Sequence, residues 1–111
     1  MPNSSSFADV VARLEATLKA RAGADPASSY TAKLLAGGPA LAGKKFGEEA
    51  VETLIAALSG DKDAIASESA DLIYHWLVVL AAAGVSLDEV AAKLEAREGT
   101  SGLAEKASRP K

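Results

Sequence analysis

The sequence predicts an all-α fold, a helical hairpin or bundle of about five helices that is completed by dimerisation. Of its 111 residues, 25 are Ala and 13 are Leu, the apolar residues that lose least side-chain entropy in a helix. Capping residues and glycines divide the chain into segments of helical length. A small Ala-rich chain buries little apolar area by itself, so we expect association into a dimer or a larger homo-oligomer.

The composition excludes several functional classes. The absence of Cys excludes disulfides, a thiolate nucleophile and Cys-ligated zinc, and the single histidine, His75, excludes a multi-His site within one chain. A net charge of -3 argues against non-specific binding of nucleic acid. The apolar run at 77–83 is too short to span a membrane, and residues 1–6 lack the features of a signal peptide. The sequence therefore predicts a cytoplasmic protein with neither a nucleic-acid nor a membrane partner.

Serine caps mark the first two predicted helices. Ser6 precedes a helix at 7–22 whose apolar residues recur at helical spacing, and residues 1–6 before it are predicted to be disordered. Ser29 precedes a short helix at 30–36 that a pair of glycines ends.

Two longer helices follow, at 39–59 and 62–83, and only Gly60 and the capping residue Asp61 separate them. Because the connection is so short, we expect these helices to pair antiparallel as a hairpin. A capping box then begins a last helix at 87–97. Residues 7–97 would form the all-α domain, followed by a polar tail at 98–111.

Acidic residues cluster on both hairpin helices, where like charges at helical spacing repel. They are Glu48, Glu49 and Glu52 on the first helix, and Glu68 and Asp71 on the second. At ~1.5 Å rise per residue, the two groups lie at nearly the same distance from the turn. Such crowding is unfavourable unless a cation lies between the carboxylates, and hard oxygen ligands suit Mg²⁺ or Mn²⁺. The alternative interpretation is that both groups belong to a solvated acidic surface.

The acidic pattern resembles a known family motif. Glu48-Glu49-x-x-Glu52, fifteen residues and then Glu68-x-x-Asp71 are similar to the acidic motif of the all-α, MazG-like nucleoside triphosphate pyrophosphohydrolases. Further segments resemble the phosphoribosyl-ATP pyrophosphatase family of histidine biosynthesis in particular. These segments are SYTAKLL at 29–35, KKFGEE at 44–49, DLIYH at 71–75, Leu94-x-x-Arg97, and Ser101-Gly102-x-x-Glu105-Lys106-x-x-Arg109. The resemblance covers nearly the whole chain, and the tail segment is its most specific part.

This resemblance implies an enzyme that hydrolyses phosphoribosyl-ATP to phosphoribosyl-AMP and pyrophosphate, the second step of histidine biosynthesis. It implies a Mg²⁺ cofactor, with Mn²⁺ as a substitute, held by Glu48, Glu49, Glu52, Glu68 and Asp71. Glu49 or Glu52 is the candidate general base. Basic side chains, together with the main-chain amides of a turn at Ser101, are expected to bind the substrate's phosphates. These residues are Lys44, Lys45, Arg97, Ser101, Lys106 and Arg109. An i, i+4 ion pair with Glu49 is the structural alternative for Lys45.

Several alternatives stay open at this point. His75 either contacts the site or is a packed, hydrogen-bonded residue, and Tyr30 either stacks on a base or packs. The same acidic motif would also serve a house-cleaning pyrophosphohydrolase of non-standard nucleoside triphosphates. A non-enzymatic helical interaction module is the third interpretation.

Overall fold

The computed structural model describes residues 5–99 and 102–109, which form six helices and no strand. The all-α prediction is confirmed, and each of the five predicted helices begins and ends within two residues of its predicted bounds. The sixth helix is short and lies in the predicted polar tail. The helices are α1 (Phe7–Arg21), α2 (Tyr30–Ala36), α3 (Gly38–Ser59), α4 (Lys62–Ala83), α5 (Leu87–Glu95) and α6 (Gly102–Ser108).

Polar side chains cap four of these helices as the sequence predicts. The hydroxyl groups of Ser6, Ser29 and Ser86 each accept a hydrogen bond of 3.1–3.2 Å from the main-chain amide three residues later. The carboxylate of Asp61 accepts bonds from the first amides of α4 at 3.0 and 3.2 Å. Each cap satisfies amides that have no partner within the helix, which explains why the helices begin at these residues.

The α3–α4 hairpin is the centre of the fold. Gly60 ends α3 with φ 75°, a left-handed conformation that glycine adopts without steric strain. The chain reverses at this residue, and Asp61 begins α4 directly afterwards. The two helices make the most extensive contact between elements, so the predicted antiparallel pairing is confirmed.

The apolar core lies where α4 meets α1, α2 and α3. By length and composition alone, α4 is long and apolar enough to cross a membrane. Its contacts with three helices instead make it the central helix of this bundle. The buried core residues are Val11, Leu18, Leu34, Ala42, Leu77 and Val78.

A second apolar surface remains exposed along α3. It follows the i, i+3, i+4, i+7 spacing of a single helix face, and its four side chains are 55–80% exposed. The residues of this α3 stripe are Val51, Leu54, Ile55 and Leu58. The fold of one chain therefore leaves a continuous apolar face of its central hairpin in contact with solvent.

Candidate active site

Three of the predicted carboxylates converge between α3 and α4. Glu49 on α3 and Glu68 and Asp71 on α4 each offer an oxygen atom, and these three oxygens lie within 4.8 Å of one another. Glu49 and Glu68 are partly buried, whereas Asp71 is exposed. We call these three residues the acidic cluster. Their proximity follows from the antiparallel hairpin, because residues 49 and 71 each lie 11 positions from Gly60 in its turn, and residue 68 lies about one helical turn nearer.

The other two predicted ligands lie at the edge of this cluster. The carboxylate of Glu48 is 3.4 Å from the ammonium group of Lys45. Glu52 is exposed, and its charge acts on Glu68. Of the five acidic residues of the motif, three thus bring carboxylate oxygens close together, and the other two flank them.

The electrostatics of the acidic cluster favour binding of a cation. Partial desolvation between the helices raises the pKa of the Glu68 carboxyl, and the charges of Asp71, Glu49 and Glu52 raise it further. A carboxyl surrounded by like charges holds its proton more tightly, because ionisation adds to the repulsion. A divalent cation placed among these oxygens would reverse that penalty.

The donor set also fits a hard cation. Mg²⁺ prefers carboxylate oxygens at about 2.1 Å and keeps several water ligands, so it needs only a few protein groups. Oxygens separated by no more than 4.8 Å reach a common ion through small rotations of their side chains. The solvent-accessible position of the cluster leaves room for water and for phosphate oxygens.

Thr53 joins the two helices beside the acidic cluster, and the sequence analysis missed this residue. Its hydroxyl lies 2.8 Å from the carbonyl oxygen of Glu49 and 3.2 Å from that of Glu68. The sequence signal for it is a hydroxyl residue four positions after Glu49, one turn along the same helix.

The predicted basic residues are all accessible where they are described. Lys44 is exposed, and Lys45 pairs with Glu48 rather than with Glu49 as the i, i+4 alternative predicted. Arg97, Lys106 and Arg109 are exposed on or beside the last two helices. Ser101 lies outside the described residues.

A buried histidine links the acidic cluster to an exposed tyrosine. His75 is only 7% exposed, and its Nδ1 atom lies 2.7 Å from the carbonyl oxygen of Asp71. Since a carbonyl only accepts, Nδ1 carries the hydrogen, and Nε2 accepts from the Tyr30 hydroxyl at 3.1 Å. The interpretation of His75 as a packed, hydrogen-bonded residue is therefore confirmed. Its partner Tyr30 lies 45 residues away in sequence, so only the fold reveals the pair.

A groove lies away from the acidic cluster, between α1, α2 and the end of α4. It encloses about 550 Å³ and is lined largely by apolar side chains, including Leu18, Leu35 and Val85. No carboxylate lines this groove, so it offers no ligand for a hard cation. The acidic cluster is therefore the better candidate for phosphate chemistry.

Comparison with known proteins identifies the family to which the chain belongs. The phosphoribosyl-ATP pyrophosphohydrolase family model matches residues 11–98. The chain is 68% identical over 106 residues to a phosphoribosyl-ATP pyrophosphatase of Caulobacter vibrioides, covering 96% of this chain and 98% of that protein. It is 63% identical over 100 residues to proteins of the same name from Cereibacter sphaeroides and Dinoroseobacter shibae, covering 90% of this chain and 97–98% of theirs. The chain belongs to the phosphoribosyl-ATP pyrophosphohydrolase family.

Proposed function

We propose that this protein hydrolyses phosphoribosyl-ATP to phosphoribosyl-AMP and pyrophosphate, as the second step of histidine biosynthesis. The observation that carries this proposal is the acidic cluster, three carboxylates from two helices within 4.8 Å of one another in a member of this family. Carboxylates that are brought together without a cation repel one another. An interaction module or a solvated surface would gain nothing from this convergence.

The proposed cofactor is Mg²⁺, with Mn²⁺ as a substitute, and Glu49, Glu68 and Asp71 are its proposed ligands. When bound, the cation neutralises charge on the triphosphate and lowers the pKa of a coordinated water. Without the cation, the negative charge of the carboxylates would repel the polyanionic substrate. The positive charge of the cation explains how a protein with net charge -3 would bind such a substrate.

We assign the general base to Glu52. Glu52 flanks the acidic cluster but is not one of its three proposed metal ligands. Its carboxylate oxygens are therefore available to accept a proton. The water oxygen forms a bond to the α-phosphorus while the bond from that phosphorus to the bridging oxygen breaks and pyrophosphate leaves. The proton released by the water passes to the Glu52 carboxylate.

Basic side chains are proposed to bind the remaining phosphates. Lys45, held by Glu48 at 3.4 Å, lies one turn before Glu49, and exposed Lys44 adjoins it. The phosphate on the second ribose requires positive charge away from the triphosphate, and the last two helices carry it. The proposed tail contacts are Arg97, Ser101, Lys106 and Arg109.

A homodimer is the proposed assembly, formed through the α3 stripe. Four side chains that are 55–80% exposed along one helix face are most simply covered by the same face of a second copy. Ala residues make up much of this hairpin, so neighbouring helices can approach closely. We further propose that the enzyme acts in the cytoplasm, bound to neither membrane nor nucleic acid.

The decisive experiment measures pyrophosphate release from phosphoribosyl-ATP beside dUTP, dCTP and ATP, with and without Mg²⁺. Strong release from phosphoribosyl-ATP, lost on chelation, is expected. Glu49→Gln and Asp71→Asn should abolish it, whereas the exposed α5 controls Glu95→Gln and Asp88→Asn should not. A preference for dUTP or dCTP would instead support the house-cleaning function. Absence of turnover and of metal binding would support the interaction module.

A further inference from the structure

Tyr30 combines an exposed ring with a hydroxyl group held in place. The side chain is at the first position of α2, and the residue is 52% exposed. Its hydroxyl donates to His75 at 3.1 Å, and His75 in turn donates to the Asp71 carbonyl oxygen at 2.7 Å. An aromatic residue that is half in solvent normally moves between rotamers, whereas this one is tied through a buried histidine to the helix that carries the acidic cluster.

The ring is also oriented by its neighbours. It lies nearly parallel to the ring of Tyr74, with centroids 6.4 Å apart and an angle of 17° between the planes. Tyr74 is itself held by a hydrogen bond of 2.5 Å between its hydroxyl and that of Thr31. Both the position and the tilt of the exposed ring are therefore set before any ligand arrives.

This ring adjoins the proposed phosphate site. One imidazole ring separates the Tyr30 hydroxyl from the carbonyl oxygen of Asp71, through contacts of 3.1 and 2.7 Å, and this places its hydroxyl end beside the acidic cluster. Tyr30 also borders a groove of about 490 Å³ that Ser28 and Lys33 line. A nucleotide whose phosphates lie on the acidic cluster would bring its base toward this ring and groove.

We propose that Tyr30 is a substrate-contacting residue on which the purine of the nucleotide stacks, and that His75 is the residue that positions it. The proposal rests on the proposed function for the identity of the substrate. Stacking of a base on an aromatic ring contributes about 1–3 kcal/mol, and a ring held in advance loses little conformational entropy on binding. The hydrogen bond to His75 supplies that pre-organisation.

Equilibrium binding of two non-hydrolysable probes tests the role of Tyr30, in the presence of Mg²⁺. The first is α,β-methylene-ATP, which has a base, and the second is methylene diphosphonate, which has none. Tyr30→Ala should weaken the first about tenfold, the equivalent of ~1.4 kcal/mol of lost stacking, and leave the second within about twofold. Phe7→Ala, which removes a 70% exposed ring from α1, should change neither. An unchanged affinity for α,β-methylene-ATP in Tyr30→Ala, or equal losses for both probes, would overturn the proposal.

A double-mutant cycle tests the role of His75. Tyr30→Phe and His75→Phe remove the same hydrogen bond and keep a ring at each position, so each should weaken α,β-methylene-ATP about threefold. Combined, they should weaken it no further, because the hydrogen bond between Tyr30 and His75 is already absent when the second change is made. Additive losses would show that His75 does not act through Tyr30. If His75→Phe does not fold, His75→Gln takes its place in the cycle.

Steady-state kinetics separate this inference from the proposed function. With phosphoribosyl-ATP, Tyr30→Ala should raise KM about tenfold and leave kcat within about twofold, because stacking stabilises substrate and transition state alike. A wild-type protein without pyrophosphate release would contradict the proposed function. The binding comparison does not depend on turnover and would still decide the role of Tyr30.

Discussion

The hydroxyl of Thr53 on α3 lies 3.2 Å from the main-chain carbonyl oxygen of Glu68 on α4. This contact joins the two hairpin helices at the level where the carboxylates converge. The same hydroxyl is 2.8 Å from the carbonyl oxygen of Glu49. One small side chain thus contacts the main chain of an acidic-cluster residue on each helix.

We expect Thr53→Val to destabilise the protein and to weaken binding of Mn²⁺ several-fold. Valine keeps the shape of threonine but cannot donate a hydrogen bond, so the free energy of unfolding should fall by about 1 kcal/mol. Thr17→Val is the matched control, because Thr17 is exposed and donates to the carbonyl oxygen of Arg13 within its own helix. Urea unfolding at one protein concentration and Mn²⁺ titration provide the measurements. Equal effects of the two substitutions would show that the contact between the helices contributes nothing particular.

Glu68→Gln should raise the melting temperature of the metal-free protein at neutral pH. Because folding raises the pKa of this carboxyl, its protonated form is favoured in the folded state. The contribution of Glu68 to stability is therefore present at low pH and is lost as pH rises through the folded pKa. The difference between variant and wild type should disappear as pH falls below the usual carboxyl range.

The control for this experiment is Glu95→Gln, a change of the same kind at an exposed position on α5. Thermal melts with chelator and then with saturating Mg²⁺ give the comparison, and the metal should stabilise wild type more than Glu68→Gln. A variant less stable than wild type in the presence of chelator would contradict the repulsion inferred at the acidic cluster.

Leu54→Glu on α3 is expected to prevent formation of the proposed dimer and leave the protein monomeric. Leu54 is 59% exposed at the middle of the α3 stripe, and a charge buried between two copies would be strongly unfavourable. Val10→Glu serves as the control, because Val10 is 45% exposed on α1 and does not belong to the stripe. Sedimentation equilibrium distinguishes a monomer of 11.3 kDa from a dimer. Wild-type protein that sediments as a monomer would refute the proposed assembly.

Removal of residues 99–111 should reduce kcat/KM for phosphoribosyl-ATP by about tenfold or more, the equivalent of ~1.4 kcal/mol or more. The truncation deletes three of the proposed phosphate contacts, Ser101, Lys106 and Arg109, and leaves the α3–α4 hairpin intact. The preference for phosphoribosyl-ATP over ATP should fall at the same time. Helical content by circular dichroism should decrease only by the contribution of α6. An unchanged substrate preference would exclude the tail from recognition.

Much of the fold was predictable because its signals are local. Ser6, Ser29, Asp61 and Ser86 each contact an amide at most three residues away, so a reader of the sequence sees both partners of the bond. The antiparallel hairpin followed from the short turn at Gly60 in the same way. Helix α6 was not predicted, because seven residues rich in small and polar side chains differ little from a loop.

The candidate site was predictable only in part. The spacing of acidic residues along two helices was enough to predict that carboxylates from both helices would lie close together. It was not enough to predict which of the five carboxylates would form the cluster. Lys45 illustrates the difference, since Glu48 and Glu49 are both within its reach on the helix surface and the side-chain rotamers select Glu48.

The sequence by itself determined the helices, their caps, the hairpin and the acidic motif, because each depends on residues that are neighbours in the chain or along one helix face. Tertiary structure alone decided the contact of Tyr30 with His75 and that of Thr53 with Glu68. These pairs are 45 and 15 residues apart, and each forms only where separate helices pack. It also decided that the α3 stripe remains exposed, because helical periodicity predicts an apolar face but not the surface that covers it.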